Sequence, residues 1–402
     1  MFNLEAFIGK YVTKRTQSMF GADIENNSEM LERKIGGKTV LVIGGAGSIG
    51  SSFIKAILPY NPATLVVVDT NENALAELTR DLRSTKGMYI PEDYVTYPMD
   101  FSSNVFEKMF RNRGGFDIVG NFSAHKHVRS EKDIYSIEAL LKNNVLYAKH
   151  LLDLLAEFPP EEYFCVSTDK AANPVNIMGA SKRIMEDVIF AYSDKFPVKT
   201  ARFANVAFSN GSLPAGFLSR IQKLQPLSAP SDVKRYFVSP EESGQICMLA
   251  CMLGKNREIF FPRLEEAQMM TFDEIASSLL KAQGFEVLEC SSDKEAIDKS
   301  EELKNGSNKY PVFYSKSNTS GEKAYEEFYT DLEQVDLERL RALGVVINKE
   351  IPSKSKVDIL FDKLNSAFDK EETTKEEIIS IMQDYLPNFE HIETGKSLDS
   401  KM

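Results

Sequence analysis

The chain has no tryptophan, and only four histidines and four cysteines in 402 residues. Cys165, Cys247, Cys251 and Cys290 show no CxxC spacing. That pattern builds neither a disulfide framework nor a sulfur-rich metal centre, and it fits a reducing, cytoplasmic setting. Cys247 and Cys251 stand one helical turn apart and read as one buried helix face. Of the cysteines, only Cys165 lies within about 40 residues of a histidine, too sparse for a Cys/His zinc set. His125 and His127 flank Lys126 and would share a face at a strand end, a weak basis for a metal pair. No metal is expected. Long apolar runs are also missing. "ICMLACML", Ile246 to Leu253, falls far short of the roughly 18 residues that suggest a membrane span. The opening "MFNLEAFIGKYVTKR" has no long apolar centre of the signal-peptide kind. No basic tract offsets the net charge of −11, so nucleic acid is not expected as a partner. An anionic small ligand stays compatible, because local backbone dipoles can hold one.

What is present is a core-sized apolar fraction, 43%, and a repeated strand–turn–helix rhythm. Residues 1–37 read as a helical arm. From Thr39, "TVLVIGG", "TLVVVDT", "VTYPMD", "FDIVGNFSA", "EEYFCVSTD" and "VKTARFANV" read as strands, several of them continuous apolar runs as in a sheet covered on both faces. Between them, "SSFIKAILPY", "ENALAELTRDLRS", "IEALLKNNVLYAKHLLDLLAEF" and "SKRIMEDVIFAYSDKF" read as helices. This alternation predicts an α/β fold, a doubly wound parallel Rossmann sheet with a smaller α+β substrate lobe. The expected division is an arm over 1–37, a dinucleotide-binding domain over 38–205, a lobe over 206–352 partly interleaved with the sheet, and two helices with a polar tail over 353–402. Within the lobe, "MTFDEIASSLLKAQG" and "SGEKAYEEFY" read as helical. Residues 291–308, charged and polar, read as a loop or mobile excursion, and the tail reads as disordered.

"GGAGSIG" places Gly44, Gly47 and Gly50 directly after a strand and at the opening of a helix. Glycine lets backbone approach a pyrophosphate, which then meets the positive end of the helix. Ser48 and Ile49 belong to the same turn. Asp69, at the end of the next strand and 19 residues after Gly50, can accept from an adenosine ribose diol and repel a 2′-phosphate, so NAD is favoured over NADP. Asp100, after "YPM", fits an adenine-amine contact or a surface turn equally well.

The strings "GGAGSIG", "NFSAHKHV", "NNV", "STDKAANPVNIMGASKR", "RFANV" and "SGEKAYEEF" occur in the order expected of extended short-chain dehydrogenases. From about Thr39 to Phe328 the chain resembles the bacterial UDP-N-acetylglucosamine 4,6-dehydratases of the polysaccharide-biosynthesis group, in a form without the membrane region many of them carry. The lobe strings "FSNGSLPAGF" and "LQPLSAPSDVKRYF" keep the pattern's serine, glycine and arginine but change their neighbours. The resemblance implies a redox-neutral dehydration. Hydride leaves C4 of the sugar for NAD⁺, a base removes the acidified C5 proton, an acid helps the 6-hydroxyl leave, and hydride returns to C6.

Short-chain dehydrogenases usually place a tyrosine four residues before an essential lysine. Here that lysine is Lys182 and the earlier position is Met178, which handles no proton. The resemblance assigns the acid to Asp169, the C5 base to Lys170, a hydroxyl at the C4 oxygen to Thr168, and the nicotinamide ribose to Lys182. A lysine base must be neutral; burial and a nearby cation, with Lys182 as the candidate, favour that form. The blander reading of Asp169 and Lys170 is a loop ion pair. Deprotonation of the C4 hydroxyl falls to Thr168 with Lys170, or to a water, and Met178 itself to packing. Ala124 is placed along the cofactor. Lys126 fits the cofactor or the sugar, or a surface position. Asn144 reads as a brace for the site's strands. Asn205 and Arg235 fit diphosphate and sugar contacts. Ser212 and Glu241 are divided between substrate contact and helix capping.

The reading as a whole is an NAD-dependent sugar-nucleotide 4,6-dehydratase acting on UDP-N-acetylglucosamine, for synthesis of a surface polysaccharide or a sialic-acid-like sugar. A 4-epimerase of the same fold and a silent NAD-binding sensor or scaffold are the alternatives. Ile137, Leu140, Leu141, Val145, Leu151, Leu152 and Leu155 exceed what one buried stripe needs, which points to a second apolar contact and at least a homodimer.

Overall fold

The computed structural model describes residues 2–127, 131–316, 327–347 and 350–392. The arm comprises α1 (Leu4–Phe7), a π turn (Ile8–Val12), α2 (Gly21–Asn26) and α3 (Ser28–Ile35). The six strands read from the apolar runs follow: β1 (Thr39–Ile43), β2 (Thr64–Asp69), β3 (Asp93–Pro98), β4 (Ile118–Asn121), β5 (Glu162–Thr168) and β6 (Val198–Phe203). The interleaved helices are α4 (Ser48–Ile57), α5 (Glu72–Ser84), α6 (Asn104–Arg113), α7 (Ile134–Leu141), α8 (Tyr147–Glu157) and α9 (Ile177–Phe190). Beyond them lie the short strands β7 (Asn205–Val206), β8 (Leu227–Pro230), β9 (Lys234–Arg235) and β10 (Phe237–Val238), then β11 (Glu258–Pro262), β12 (Met270–Thr271), β13 (Glu286–Cys290), β14 (Lys309–Ser315), β15 (Gln334–Asp336) and β16 (Leu343–Ile347). The later helices are α10 (Leu213–Gln222), α11 (Pro240–Leu253), α12 (Phe272–Ala282), α13 (Asp293–Lys304), α14 (Lys354–Phe368) and α15 (Lys375–Tyr385).

The main sheet runs β15-β16-β11-β6-β5-β4-β1-β2-β3. Strands β3 to β11 pair in parallel, and β16 and β15 add an antiparallel edge. The order β3-β2-β1-β4-β5-β6 reverses direction between β1 and β4, and there the carboxyl ends of the strands leave a crevice for a ligand. The doubly wound parallel fold read from the sequence is therefore the fold observed. The lobe is a three-stranded parallel sheet, β13-β14-β8, with α12 and α13 against it and α10 against α12. Its core joins Phe217, Leu227, Ile275, Leu279 and Val312 to Phe7, Ile8 and Val12, so the first turns of the arm belong to the lobe, while Phe20, Leu31 and Ile35 join the main core.

Two expectations change. Residues 291–308 are not a loop: Ser292 caps α13 by accepting the Glu295 amide, and Lys299 pairs with Glu295 one turn away. The helix buries little beyond Ala296, Ser300 and Leu303. So thin an apolar stripe is easily taken for a polar loop. The "SGEKAYEEFY" helix lies mainly outside the described residues; its last positions, Phe328 and Tyr329, are not helical. The tail beyond 392 also lies outside them.

The apolar surplus along α7 and α8 is met inside the chain. Ile137, Leu140, Leu141, Val145, Leu151, Leu152 and Leu155 are fully buried in a core shared with Val357, Leu360, Phe361 and Leu364 of α14. Lys149 on α8 lies 5.9 Å from the centre of the Phe361 ring, and Lys142 lies 5.8 Å from that of Phe368. These seven side chains are thus covered within the chain's main core, and the homodimer expected from them stays a proposal. Cys247 and Cys251 are buried thiols on one face of α11, as their spacing suggests.

Candidate active site

The crevice begins at the glycine turn. Gly44 has a φ of +71°, and a side chain there would meet Ser123 N at 2.6 Å and the Phe122 carbonyl carbon at 2.7 Å. At Gly50 an added Cβ would lie 2.4 Å from Gly44 O. Gly47 precedes α4 with no side-chain cap, leaving the first amides of a ten-residue helix for a ligand. Asp69 ends β2; one carboxylate oxygen accepts from Ala46 N at 3.1 Å and the other from Asn71 N at 2.9 Å. A carboxylate has about four acceptor positions, so two remain for a ribose diol. Open helix amides, a turn that only glycine fits and an acid at the next strand end together suit a dinucleotide.

Asp100 closes a turn on Ser102, whose amide and hydroxyl both reach one of its oxygens at 2.8 Å. It also lines a cavity of about 460 Å³ with His125, Lys142 and Asn143. Ala124 follows β4 and is half-buried, as is Ile49 on α4. Lys126 is exposed and donates to Asn210 O at 3.0 Å. The Asn210 amide in turn donates to Ser48 Oγ at 2.8 Å. The lobe loop at 207–212 is thereby tied to the phosphate turn, with Gly211 at φ +75° against His127.

The string Thr168-Asp169-Lys170 leaves the carboxyl end of β5. Thr168 Oγ1 donates to Asp169 Oδ1 at 2.8 Å; Lys170 N reaches the same oxygen at 2.9 Å, and Lys170 Nζ reaches it at 3.2 Å. Asp169 is buried and Lys170 half-buried. The loop ion pair is therefore formed, and formed around one oxygen that also holds the Thr168 hydroxyl.

Lys182 is buried on α9 and donates to Val166 O at 3.0 Å. Burial pushes its ammonium below the usual lysine range, against the pull of Cys165 and Glu186. Met178 is buried in the main core, and its amide donates to Glu131 Oε1 at 2.8 Å.

Asn144 lies in a π turn, Lys142–Leu146, that joins α7 to α8. The turn aims its amide at the backbone of His125, accepting from N and donating to O, both at 2.9 Å, and at Ser181 Oγ at 3.1 Å. It is a brace between β4 and α9. Such turns recur at functional sites.

Asn205 and Arg235 come together through the short lobe strands. The Asn205 amide donates to Tyr236 O at 3.0 Å, and Arg235 is buried beside it. Two residues are placed elsewhere or otherwise employed. Ser212 caps α10, accepting from Ala215 N at 3.3 Å. Glu241 lines a separate cavity of about 1150 Å³ between the arm, α4 and α11, and accepts from Gln245.

The sequence reading missed Ser167, Glu186, Arg202 and Glu333, a buried network beneath the catalytic string. The available signal was that Glu186 follows Lys182 by one helical turn, on the same face of α9.

A protein of Methanocaldococcus jannaschii described as the uncharacterized membrane protein MJ1061 is 30% identical over 345 residues, 84% of this chain and 94% of that one. Among the described residues here, no helix is long and apolar enough to cross a membrane. The capsular polysaccharide biosynthesis protein CapD of Staphylococcus aureus is 26% identical over 364 residues, 89% of this chain. The match takes up 56% of CapD, so this chain spans about half its length. A UDP-N-acetylglucosamine 4,6-dehydratase (inverting) of Campylobacter jejuni is 26% identical over 236 residues, 57% of this chain and 67% of that one. Among solved structures, a double mutant of DesIV, a dTDP-glucose 4,6-dehydratase of Streptomyces venezuelae with NAD bound, shares the fold. Its TM-score is 0.54 at 20% identity, over 72% of this chain and 87% of that one. The polysaccharide biosynthesis protein family matches residues 40–346. The chain belongs to that family, a group of nucleotide-sugar dehydratases and epimerases on the extended short-chain dehydrogenase fold.

Proposed function

We propose that this protein is an NAD-dependent sugar-nucleotide 4,6-dehydratase that converts UDP-N-acetylglucosamine to a UDP-4-keto-6-deoxy-N-acetylhexosamine. The observation that carries the reading is the convergence of Thr168, Asp169 and Lys170 on one carboxylate oxygen at the carboxyl end of β5. Bound NAD supplies a hydride acceptor at C4 and a hydride donor at C6, and ends unchanged.

The proton chemistry belongs to the chain. At rest the pair is Lys170 ammonium and Asp169 carboxylate. Moving one proton across their 3.2 Å contact turns it into a neutral amine and a carboxylic acid. Those are the base that removes the C5 proton and the acid that protonates the leaving 6-hydroxyl. In water the reference pKa gap makes this transfer cost about 9 kcal/mol. The proton taken from C5 then restores the ammonium, and the carboxylate is regenerated as water leaves. The ion pair and the catalytic pair are one arrangement in two protonation states. Thr168, which donates to that carboxylate, is also placed to hold the C4 oxygen. On this reading Lys182 takes the nicotinamide ribose, and Arg235 with Asn205 the diphosphate. A 4-epimerase has no need of an acid–base pair for C5 and C6, so Asp169 and Lys170 favour dehydration.

Incubation of the purified protein with UDP-N-acetylglucosamine should give the 4-keto-6-deoxy sugar by NMR; recovery of substrate and its C4 epimer alone would refute the reading. The cofactor has its own check. Denatured protein should release NAD(H), and mainly NADP(H) would remove the role given to Asp69. Asp69→Ala should weaken NAD binding by about tenfold, because it loses a ribose acceptor and the brace on Ala46. The same change should lift the discrimination against NADP, and titration of both cofactors reads each effect.

A further inference from the structure

Beneath the catalytic string lies a set of charges that the chemistry above does not use. Arg202, on β6 opposite Ser167 in register, is fully buried. Its Nε and Nη2 donate to the two oxygens of Glu186 at 2.9 and 2.8 Å. Its Nη1 and Nη2 donate to the two oxygens of Glu333 at 2.7 and 2.8 Å, and Nη1 also reaches Phe328 O at 3.0 Å. All five guanidinium N–H groups are thus engaged. Glu186 is equally full. Besides Arg202, it accepts from Ser167 Oγ at 2.7 Å and from Arg183 Nη1 at 3.3 Å.

Two features make this more than a buried ion pair. Glu186 sits four residues after Lys182 on α9, and the two hold consecutive residues of β5: Lys182 takes the carbonyl of Val166, Glu186 the hydroxyl of Ser167. The next residue is Thr168, where the reactive string begins. Glu333, for its part, brings in the segment after Glu327, which also touches the string's far side where Asn173 donates to Glu327 at 2.8 Å. A well-packed apolar cluster would hold these elements together as stably. Only directed hydrogen bonds fix the strand end along its axis.

We propose that Glu186, acting through Ser167, is the positioning residue for Thr168, Asp169 and Lys170, and that Arg202 and Glu333 fix its orientation. The role rests on the dehydratase reading for its catalytic consequence, but its structural consequence stands alone.

The test uses Ser167→Ala, which removes one hydroxyl and leaves the Arg202–Glu186 pair satisfied, and Glu333→Gln, at the rim of the network. Both should lower kcat about tenfold with KM for the sugar nucleotide and NAD content unchanged, since a misplacement of the order of an ångström is costly to rate. A packing role would instead lower the melting temperature and leave kcat per folded molecule intact. Independently of turnover, hydrogen–deuterium exchange at the amides of residues 168–172 should quicken at least about tenfold in Ser167→Ala, with β6 unchanged. If wild type shows no dehydration, the functional reading fails and the exchange result decides the positioning role. Unchanged exchange in Ser167→Ala overturns it, as does a kcat within about twofold of wild type for both variants of an active enzyme.

Discussion

Lys170→Met is expected to lower turnover at least about 100-fold, the usual effect of losing a proton-transfer group, while the fold and the bound cofactor remain. The side chain is half-buried and its ammonium contacts Asp169 Oδ1 at 3.2 Å. Asp169 keeps the Thr168 hydroxyl and the Lys170 amide as donors in the variant, so no buried carboxylate is stranded. Methionine fills a similar volume without a proton site. Oxidation at C4 precedes removal of the C5 proton, so the variant should stall with part of its cofactor reduced and a 4-keto sugar bound. In deuterated solvent the wild-type product should carry deuterium, and no labelled product should form with the variant. Near-normal turnover would mean that Lys170 is a loop charge and that the proposed chemistry is wrong. Met178→Phe gives the contrast. It alters a buried packing residue with no proton to move, so any loss should follow stability.

Gly50→Val should empty the cofactor site. A Cβ at residue 50 would lie 2.4 Å from Gly44 O, 2.8 Å from Gly45 Cα and 3.1 Å from Gly44 C, all backbone atoms that no rotamer change can move. Nor can α4 back away. On its other side α11 crosses so closely that a Cβ at Gly244 would meet Ser52 O at 2.1 Å. Strain at residue 50 therefore falls on the phosphate turn itself, where the first amides of α4 must stay open to bind. NAD released on denaturation should fall to roughly a tenth or less of the wild-type amount, with the far-ultraviolet circular dichroism retained. A variant that keeps its full complement of NAD would show that the turn does not hold it.

The sheet was legible because strands buried on both faces are written as unbroken apolar runs, and "TVLVIGG" and "TLVVVDT" have few other uses. The phosphate turn was legible because glycine is required there by sterics, and the clashes at Gly44 and Gly50 are that requirement in distances. The catalytic string was found through its resemblance, since nothing in the spacing of Asp169 and Lys170 tells a reactive pair from a loop ion pair. The network around Glu186 was not legible. Arg202 and Glu333 lie 131 positions apart, and long-range partners leave no local pattern. The α7–α8 stripe shows another limit: a sequence says that an apolar face needs a cover but not what supplies it, and these residues lie within the main core. Ser212 and Glu241 were ambiguous because a helix N-terminus and a substrate site call for the same acceptors.

The arm's place in the lobe also bears on how the protein comes into being on the ribosome. Phe7, Ile8 and Val12 are made long before their core partners, which extend from Ala207 to Val312. Arg15 must await Glu242, and the buried carboxylate of Asp23 must await the amides of Arg341 and Ala342, 318 and 319 positions later. These residues thus wait for partners made some 200 to 320 positions later. Through most of synthesis their aromatic and aliphatic side chains stay uncovered, while the sheet from β1 to β6 can assemble behind them. Contacts at such sequence separation close slowly and leave apolar surface open to capture in the interval. Yield of this protein should accordingly depend on chaperone supply more than its final stability suggests.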